Sequence, residues 1–413
     1  MWRRWPLYLA SLCCALAAAP PAHAAKMNAV VAAKAAPSAP TPASLGAKIF
    51  SDPSLSASGQ LSCASCHSPA HAHAAPPNTG VVPAGGATLS TPGFRTAPSL
   101  RYLNFGIAFF FDDEGTPTGG FNRDGRAQSL VEQADRPLLA PHEMANASPA
   151  AVVEKLKNAA YADEFRRVYG QNVFDDVDGA YFRLRFSIEQ FENTAPEMHP
   201  FDSKYDYFLK GQVKLNAQEL RGLYWFNNPA KGNCAGCHPS SRGGDGSPPL
   251  FTDYTYDNLG VPRNLAIPAT NDSGYVDLGL CGPDRIDLAD RSDLCGAFKV
   301  PTLRNVATRS VFFHNGRFTR LIDALRFYVR RDTNPEQFYP VDANGVVHKF
   351  DDLPPNLVAN VNTVEVPYDR KPGQTPHLDE AQLADLAAFL NTLTDGYDAA
   401  NDSADPARNL STH

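Results

Sequence analysis

Cys63-Ala64-Ser65-Cys66-His67 decides how this chain is read, and Cys234-Ala235-Gly236-Cys237-His238 repeats it in the second half. Each is a CxxCH run. That spacing suits c-type haem: two thiols add to two vinyl groups, and the adjacent histidine reaches the iron. On a short helical turn, residues i and i+3 lie on one face, so both sulfurs meet one porphyrin edge. A single run also fits a redox CxxC or half a zinc site. Two copies behind an export signal point instead to two covalently bound c-type haems.

The same order of elements precedes each run. Leu45-Gly46-Ala47-Lys48-Ile49-Phe50 reads as a short helix, followed by Asp52-Pro53 and a loop. Glu219 to Phe226 reads as its counterpart. The repeat of helix, loop and CxxCH predicts two tandem cytochrome c-like domains with long loops, residues 45–210 and 211–395. Each should close with a helix packed on its first one. Tyr181–Asn193, with Phe182, Phe186, Ile188 and Phe191, fits that role. So does Glu380–Leu393, with Leu383, Leu386, Leu390 and Leu393 at helical spacing and Asp379 as N-cap. Strand signals are sparse, so the fold class is mostly α. The loop 68–93 carries His71 and His73. Either could meet the first haem's open face, though a solvated loop histidine is the default reading.

The chain has 413 residues, 43% of them hydrophobic, enough for two or three domains with cores. Residues 1–24 read as a secretory signal peptide: Trp2-Arg3-Arg4, an apolar run Leu7–Ala19, and Ala22-His23-Ala24 as the cleavage site. Cys13 and Cys14 lie in that apolar run without a lipobox. The expected location is the periplasm. The formal net charge is −7, and it falls to about −9 without Arg3 and Arg4. That argues against nucleic acid; a solvated surface accounts for it, and a basic redox partner is the second account. Residues 25–44, rich in Ala and Pro, read as a disordered linker, and 396–413 as a polar tail, frayed from about residue 395. No later run is long and apolar enough to span a membrane. Of the eight cysteines, two leave with the signal and four serve haem. Cys281 and Cys295 then read as a disulfide, with two free thiols as the alternative, because sequence does not fix Cα spacing.

Further stretches carry a likeness: Leu55–His67, Ala97-Pro98-Ser99-Leu100, Asp124-Gly125-Arg126-Ala127, Glu132-Gln133-Ala134 and Pro141-His142-Glu143-Met144. Phe251-Thr252-Asp253, Asn258-Leu259-Gly260, Lys299–Asn305 and His314-Asn315-Gly316 continue it. With the two CxxCH runs, they make the chain resemble the bacterial di-haem cytochrome c peroxidases, a family that includes the MauG enzymes of methylamine utilisation. The resemblance implies that the first haem meets hydrogen peroxide and the second handles electron transfer. It implies Glu143 as the distal acid/base, with Gln133 and Pro137 in the same pocket. Peroxide cleavage needs a group that takes a proton from one oxygen and returns it to the other. A carboxylate after Leu138-Leu139-Ala140-Pro141 can do both if burial raises its pKa. Read without the resemblance, Glu143 is a carboxylate at a helix start.

The chain departs from the family in four respects. Arg123 stands where a Trp between the haems is common, and Trp225 is the only Trp after the signal. Thr96, Arg309 and Val311 replace the ligand positions of an interdomain calcium, so that ion is doubtful, and Arg309 puts a positive charge in its place. Thr79 to Thr96 lacks the distal His of ordinary members, and no Met follows Met198. Leu321, Leu325 and Tyr328 share one face of a helix. The resemblance places the residue at Tyr328 over the second haem, where ordinary peroxidases carry Met and MauG carries Tyr. A core tyrosine is the bland alternative, and His314, Tyr339 and His348 compete as ligands. The reading is a di-haem peroxidase nearer to MauG, with His67, His238 and Tyr328 as iron ligands. Its electron donor would be a redox protein or a small molecule. Its rivals are an ordinary cytochrome c peroxidase and a non-enzymatic electron carrier.

Overall fold

The computed structural model describes residues 39–271 and 274–400. The expected signal peptide, the linker up to residue 38 and the tail beyond 400 lie outside the described residues. Helix α1 spans Pro42–Phe50. Thr41 caps it: its hydroxyl accepts from the Ser44 N–H, and its own N–H donates to the Ser44 hydroxyl. Pro42 sits where no N–H is needed. The linker expected to reach residue 44 therefore ends at the Thr41 cap.

The chain continues through α2 (Cys63–Cys66), α3 (Leu130–Gln133), α4 (Asp135–Leu139), α5 (Pro149–Lys157), α6 (Ala162–Tyr169) and α7 (Val177–Thr194). Then come α8 (Lys204–Leu209), α9 (Ala217–Asn227), α10 (Leu321–Arg330) and α11 (Glu380–Asn391). Extended structure among the described residues is limited to isolated bridges and two-residue antiparallel pairs. These are β1 (Ala84–Gly85) with β2 (Thr91–Pro92), β3 (Phe110–Phe111) with β4 (Pro117–Thr118), and β5 (Tyr256–Asp257) with β6 (Phe298–Lys299). The mostly helical class holds. Among the described residues no helix is long and apolar enough to cross a membrane.

Two helix crossings repeat the same device. Helix α1 packs on α7, and α9 packs on α11. At each crossing a glycine lets two backbones meet. A Cβ on Gly46 would stand 1.9 Å from the Ser187 carbonyl oxygen, and one on Gly222 would stand 2.0 Å from that of Asp385. Four residues beyond each glycine, Phe50 and Phe226 are 1% exposed. Phe50 meets Phe191 at 5.4 Å and His73 at 5.9 Å; Phe226 meets Phe389 at 5.1 Å and Phe251 at 6.0 Å. Asp379 caps α11 in a capping box with Gln382, as the sequence predicts.

One apolar cluster draws on Leu45, Ile49, Leu138, Leu156, Phe165 and Ile188. Another draws on Phe226, Leu325, Leu383, Leu386, Phe389 and Leu393. The buried stripe of α7 is Ala180, Tyr181, Leu184, Ser187, Ile188, Phe191 and Glu192. Phe182 and Phe186, expected in that stripe, are not in the core: Phe182 is 50% exposed and stacks on Phe186 at 6.1 Å. The Gly46 crossing puts Ser187 at the seam, which turns those two rings outward.

The segment from residue 395, expected to fray, is pinned at its start. Asp395 accepts from the Tyr102 hydroxyl at 2.6 Å, from Arg101 at 2.9 Å and from the Asn305 amide at 2.6 Å. Gly396 N–H donates to Asp202. Arg304 and Asp206 form a buried bidentate pair at 2.9 Å. Cys281 and Cys295 are joined in a disulfide, their Cα atoms 5.1 Å apart.

Gly46→Ala and Gly222→Ala should each lower stability by roughly 1–3 kcal/mol, the cost of overpacking a tight contact. Elsewhere in a helix, Gly→Ala gains about 0.5–1 kcal/mol. Thermal unfolding checks the sign: a rise in Tm would mean that the crossings are not backbone-tight.

Candidate active site

His67 is the C-cap of α2, and its N–H donates to the Cys63 carbonyl at 2.8 Å. Its ring Nδ1 lies 2.9 Å from the Pro98 carbonyl oxygen and 3.3 Å from that of His73. His238 Nδ1 lies 2.7 Å from the Phe251 carbonyl oxygen. A carbonyl only accepts, so in both rings we assign the proton to Nδ1, which leaves the Nε2 lone pair free to bind a metal. Burial holds both imidazoles below their usual pKa, in the neutral form.

Cys63, Cys66, Cys234 and Cys237 are unpaired. Burial, aided by Glu192, pushes the Cys63 thiol up to about 12; burial and Glu143 push Cys66 up to about 11. Burial pushes Cys234 and Cys237 up to about 12. A redox CxxC works through a stabilised thiolate, and these sites do the opposite. Neutral thiols beside a neutral, oriented imidazole fit covalent haem.

Each run opens on its own cavity. The first, about 180 Å³, is lined by Cys63, Cys66, His67, Gln133, Pro137 and Glu143. The second, about 300 Å³, is lined by Cys234, Cys237, His238, Leu321, Leu325 and Tyr328. The residues read as haem-attaching, proximal, acid/base and second-haem ligand positions therefore each line one cavity or the other. Pro98, Leu100, Asn122, Arg123 and Gln133 line both, so the cavities share a wall.

Glu143 sits on a turn after α4. Its N–H donates to Ala140 and its carbonyl accepts from Gly86 at 2.8 Å. The β1–β2 hairpin comes so close that a Cβ on Gly85 would stand 2.3 Å from the His142 carbonyl oxygen. The Glu143 side chain is half-buried where it lines the cavity, with His142 Nε2 at 3.6 Å from Oε1. Its case as acid/base rests on position in the cavity, not on an apolar shell.

His71 and His73 do not line the first cavity. His73 is not a solvated loop histidine either. It is 1% exposed against Phe50, and its carbonyl faces the His67 ring. In the second cavity, Tyr328 shares one face of α10 with Leu321 and Leu325. Burial raises its phenol pKa. His314 also lines this cavity, stacked on Phe298 at 3.8 Å, with burial pushing it down to about 3. Tyr339 instead donates its hydroxyl to the Gly260 carbonyl at 2.6 Å, and His348 pairs with Asp342 near the surface. Among the described residues, no Met lines the second cavity.

At the positions read as calcium ligands, guanidinium groups hold the oxygens. Arg123 donates to the Thr96 carbonyl at 3.2 Å and to the Thr96 hydroxyl. Arg309 donates to the Ala97 carbonyl at 3.3 Å and the Val311 carbonyl at 3.4 Å.

Three lining residues escaped the sequence reading: His142, Tyr368 and Glu192. Tyr368 lies 6.1 Å from Tyr328, ring to ring. Glu192 lines the first cavity, is 2% exposed, and its Oε2 has no hydrogen-bond partner among the described residues. Burial, with Glu189, pushes it up to about 8. Its signal was a carboxylate at a core position of α7, four residues after Ile188.

Two CxxCH turns with neutral, oriented histidines, opening on two cavities with one common wall, define a c-type protein with two haems. A family profile described as di-haem cytochrome c peroxidase matches residues 40–214. The methylamine utilization protein MauG of Paracoccus denitrificans (strain Pd 1222) is 34% identical over 365 residues, 86% of this chain and 88% of that protein. Cytochrome c551 peroxidase of Nitrosomonas europaea is 30% identical over 302 residues, 71% of this chain and 74% of that protein. The solved diheme peroxidase BthA of Burkholderia thailandensis E264 has 38% identity and a TM-score of 0.79, with 86% of each chain covered. The chain belongs to the di-haem cytochrome c peroxidase family and is an enzyme of the peroxidase type.

Glu192 gives the stability a pH slope. The native carboxyl keeps its proton up to about pH 8, whereas the unfolded one loses it near its ordinary 4.5. Between those values the native state binds more protons, so stability falls as pH rises, by about 1.4 kcal/mol per pH unit. Glu192→Gln should flatten that slope in denaturant titrations across the window. An unchanged slope would place the carboxyl in contact with solvent.

Proposed function

We propose that the chain is a periplasmic di-haem peroxidase nearer to MauG than to ordinary cytochrome c peroxidases. Its halves, 45–210 and 211–395, act as cytochrome c-like domains. The observation that carries this reading is the division of polar groups between the cavities. Glu143 lies with His67 in one, and Tyr328, without any Met, lies with His238 in the other.

When bound, the first haem supplies the iron centre at which the O–O bond of hydrogen peroxide is cleaved, while the second carries electrons. Cys63 and Cys66 would hold the first through thioethers, Cys234 and Cys237 the second, and His67 and His238 would offer Nε2 to the irons. Glu143 takes a proton from one peroxide oxygen and returns it to the leaving oxygen, so two electrons and two further protons give two waters. The electrons come from an external redox protein or small molecule. The Gln133 amide orients peroxide, and Pro137 narrows the cavity against water. His142, 3.6 Å from Glu143, lies close enough to share its proton through a water. Tyr328 offers a hard anionic oxygen that favours oxidised iron, where a thioether would raise the potential.

The rival within the family takes electrons from a small cytochrome, and the similarity to cytochrome c551 peroxidase favours it. A tyrosine-lined second cavity weighs against it, because a low-potential haem is a poor acceptor from such a donor.

Glu143→Gln should keep both haems and slow the reaction with peroxide by ~10²–10⁴-fold, the usual loss when acid–base work is removed. Stopped-flow Soret spectra give the rate, and a wild-type rate would remove Glu143 from the role. Tyr328→Phe should abolish the low-spin EPR signal of the second haem, while Tyr368→Phe should leave it. If only Tyr368→Phe abolishes it, Tyr368 is the ligand. If neither does, His314 is.

A further inference from the structure

Most buried arginines in this chain face a carboxylate. Arg95 is bidentate with Asp277 and also reaches Asp124; Arg126 pairs with Asp124, and Arg304 with Asp206. Three cations around the shared wall do not follow that pattern. Arg123 donates only to Thr96 oxygens, and Arg309 to the carbonyls of Ala97 and Val311. Lys299, on β6, donates to the Gly120 carbonyl. None of the three has an ion pair within 4.0 Å among the described residues. All three line the second cavity, and Arg123 alone of them also lines the first.

Withdrawing like charges from water without an anion is unfavourable. The strain shows in each group: burial pulls Arg123 down to about 9, Arg309 to about 10 and Lys299 to about 8. Backbone carbonyls orient the side chains but supply no countercharge, and Asp277 and Asp124, which act on Arg123 and Lys299 from beyond 4.0 Å, are already paired with Arg95. The remaining donors of two planar guanidiniums and an ammonium suit carboxylate oxygens. Haem brings two carboxylates of its own on its propionate arms.

We propose that Arg123, Arg309 and Lys299 form a carboxylate-binding cluster that takes a propionate of the second haem, with Arg123 reaching a propionate of the first as well. This rests on the two-haem reading. Arg123 then couples the electrostatics of both centres across the wall where the family often carries Trp. Positive charge beside a haem favours its reduced state, so losing it moves the potential negative.

The test is spectroelectrochemical titration of both haems in the purified holoprotein, with haem content checked by pyridine haemochrome. Arg309→Met and Lys299→Met should each shift the second haem to a more negative potential and leave the first in place. Arg123→Met should shift both, and the charge-keeping Arg123→Lys should restore most of the difference. Unchanged potentials in all three neutral variants, with two haems still bound, would overturn the cluster while leaving the two-haem reading intact. Loss of haem from the wild type would instead undo that reading. Chloride and phosphate at constant ionic strength form the second arm. The wild-type potentials should not respond to them; a response would mean that a free anion fills the cluster, which also overturns the proposal. If a methionine variant fails to fold, Arg123→Lys decides by its potentials and their pH dependence. Lysine cannot form the planar fork, so the pH dependence of both potentials should change, and an unchanged dependence would overturn the Arg123 contact.

Discussion

The backbone contact at Gly46 and its counterpart at Gly222 are what the rest of the structure depends on. A helix that must lie against another at backbone distance cannot carry a side chain at the crossing. Once it does, the phenylalanine one turn later is driven into the core: Phe50 against Phe191, Phe226 against Phe389. Those rings then brace the loops that face the haem-binding runs. Phe226 touches Phe251, whose carbonyl orients His238; Phe50 touches His73, whose carbonyl flanks the His67 ring. A missing Cβ on a helix thus sets the angle of an imidazole more than ten residues downstream.

With the imidazoles fixed, the cavities differ in what surrounds them. The first gathers proton-handling groups, Glu143 beside His142 with Glu192 across from them on α7. The second places phenols, Tyr328 and Tyr368, in the cavity with His238. Charged groups of both signs line both cavities, so the difference lies in Glu143 facing one and Tyr328 the other. It arises from loops of unequal length grafted on equivalent helix pairs. The helices are repeated, but the chemistry is not.

Much of the fold was legible because it is local. The cap at Asp379, the leucine spacing of α11 and the two CxxCH turns all depend on residues within a few positions of one another. What the sequence hid depends on partners far away. The phase of α7 follows from where Gly46 strikes it, so Phe182 looked like core and Glu192 did not. Tyr368 reaches the second cavity from a loop with no periodicity to announce it. Resemblance supplied Tyr328 and Glu143, and helical periodicity alone would have left both as ordinary side chains.

The clasp at Asp395 bears on how such a chain matures. It joins Tyr102 and Arg101 to a residue more than 290 positions later, with separations of 293 and 294. Contacts that far apart form late, because a long loop must close before they return any free energy. Until the clasp shuts, Arg101 and Tyr102, which line the second cavity, lack the partner that holds them. Closure by the last turn thus leaves an interval in which an attachment machinery can reach sulfurs that the finished protein buries.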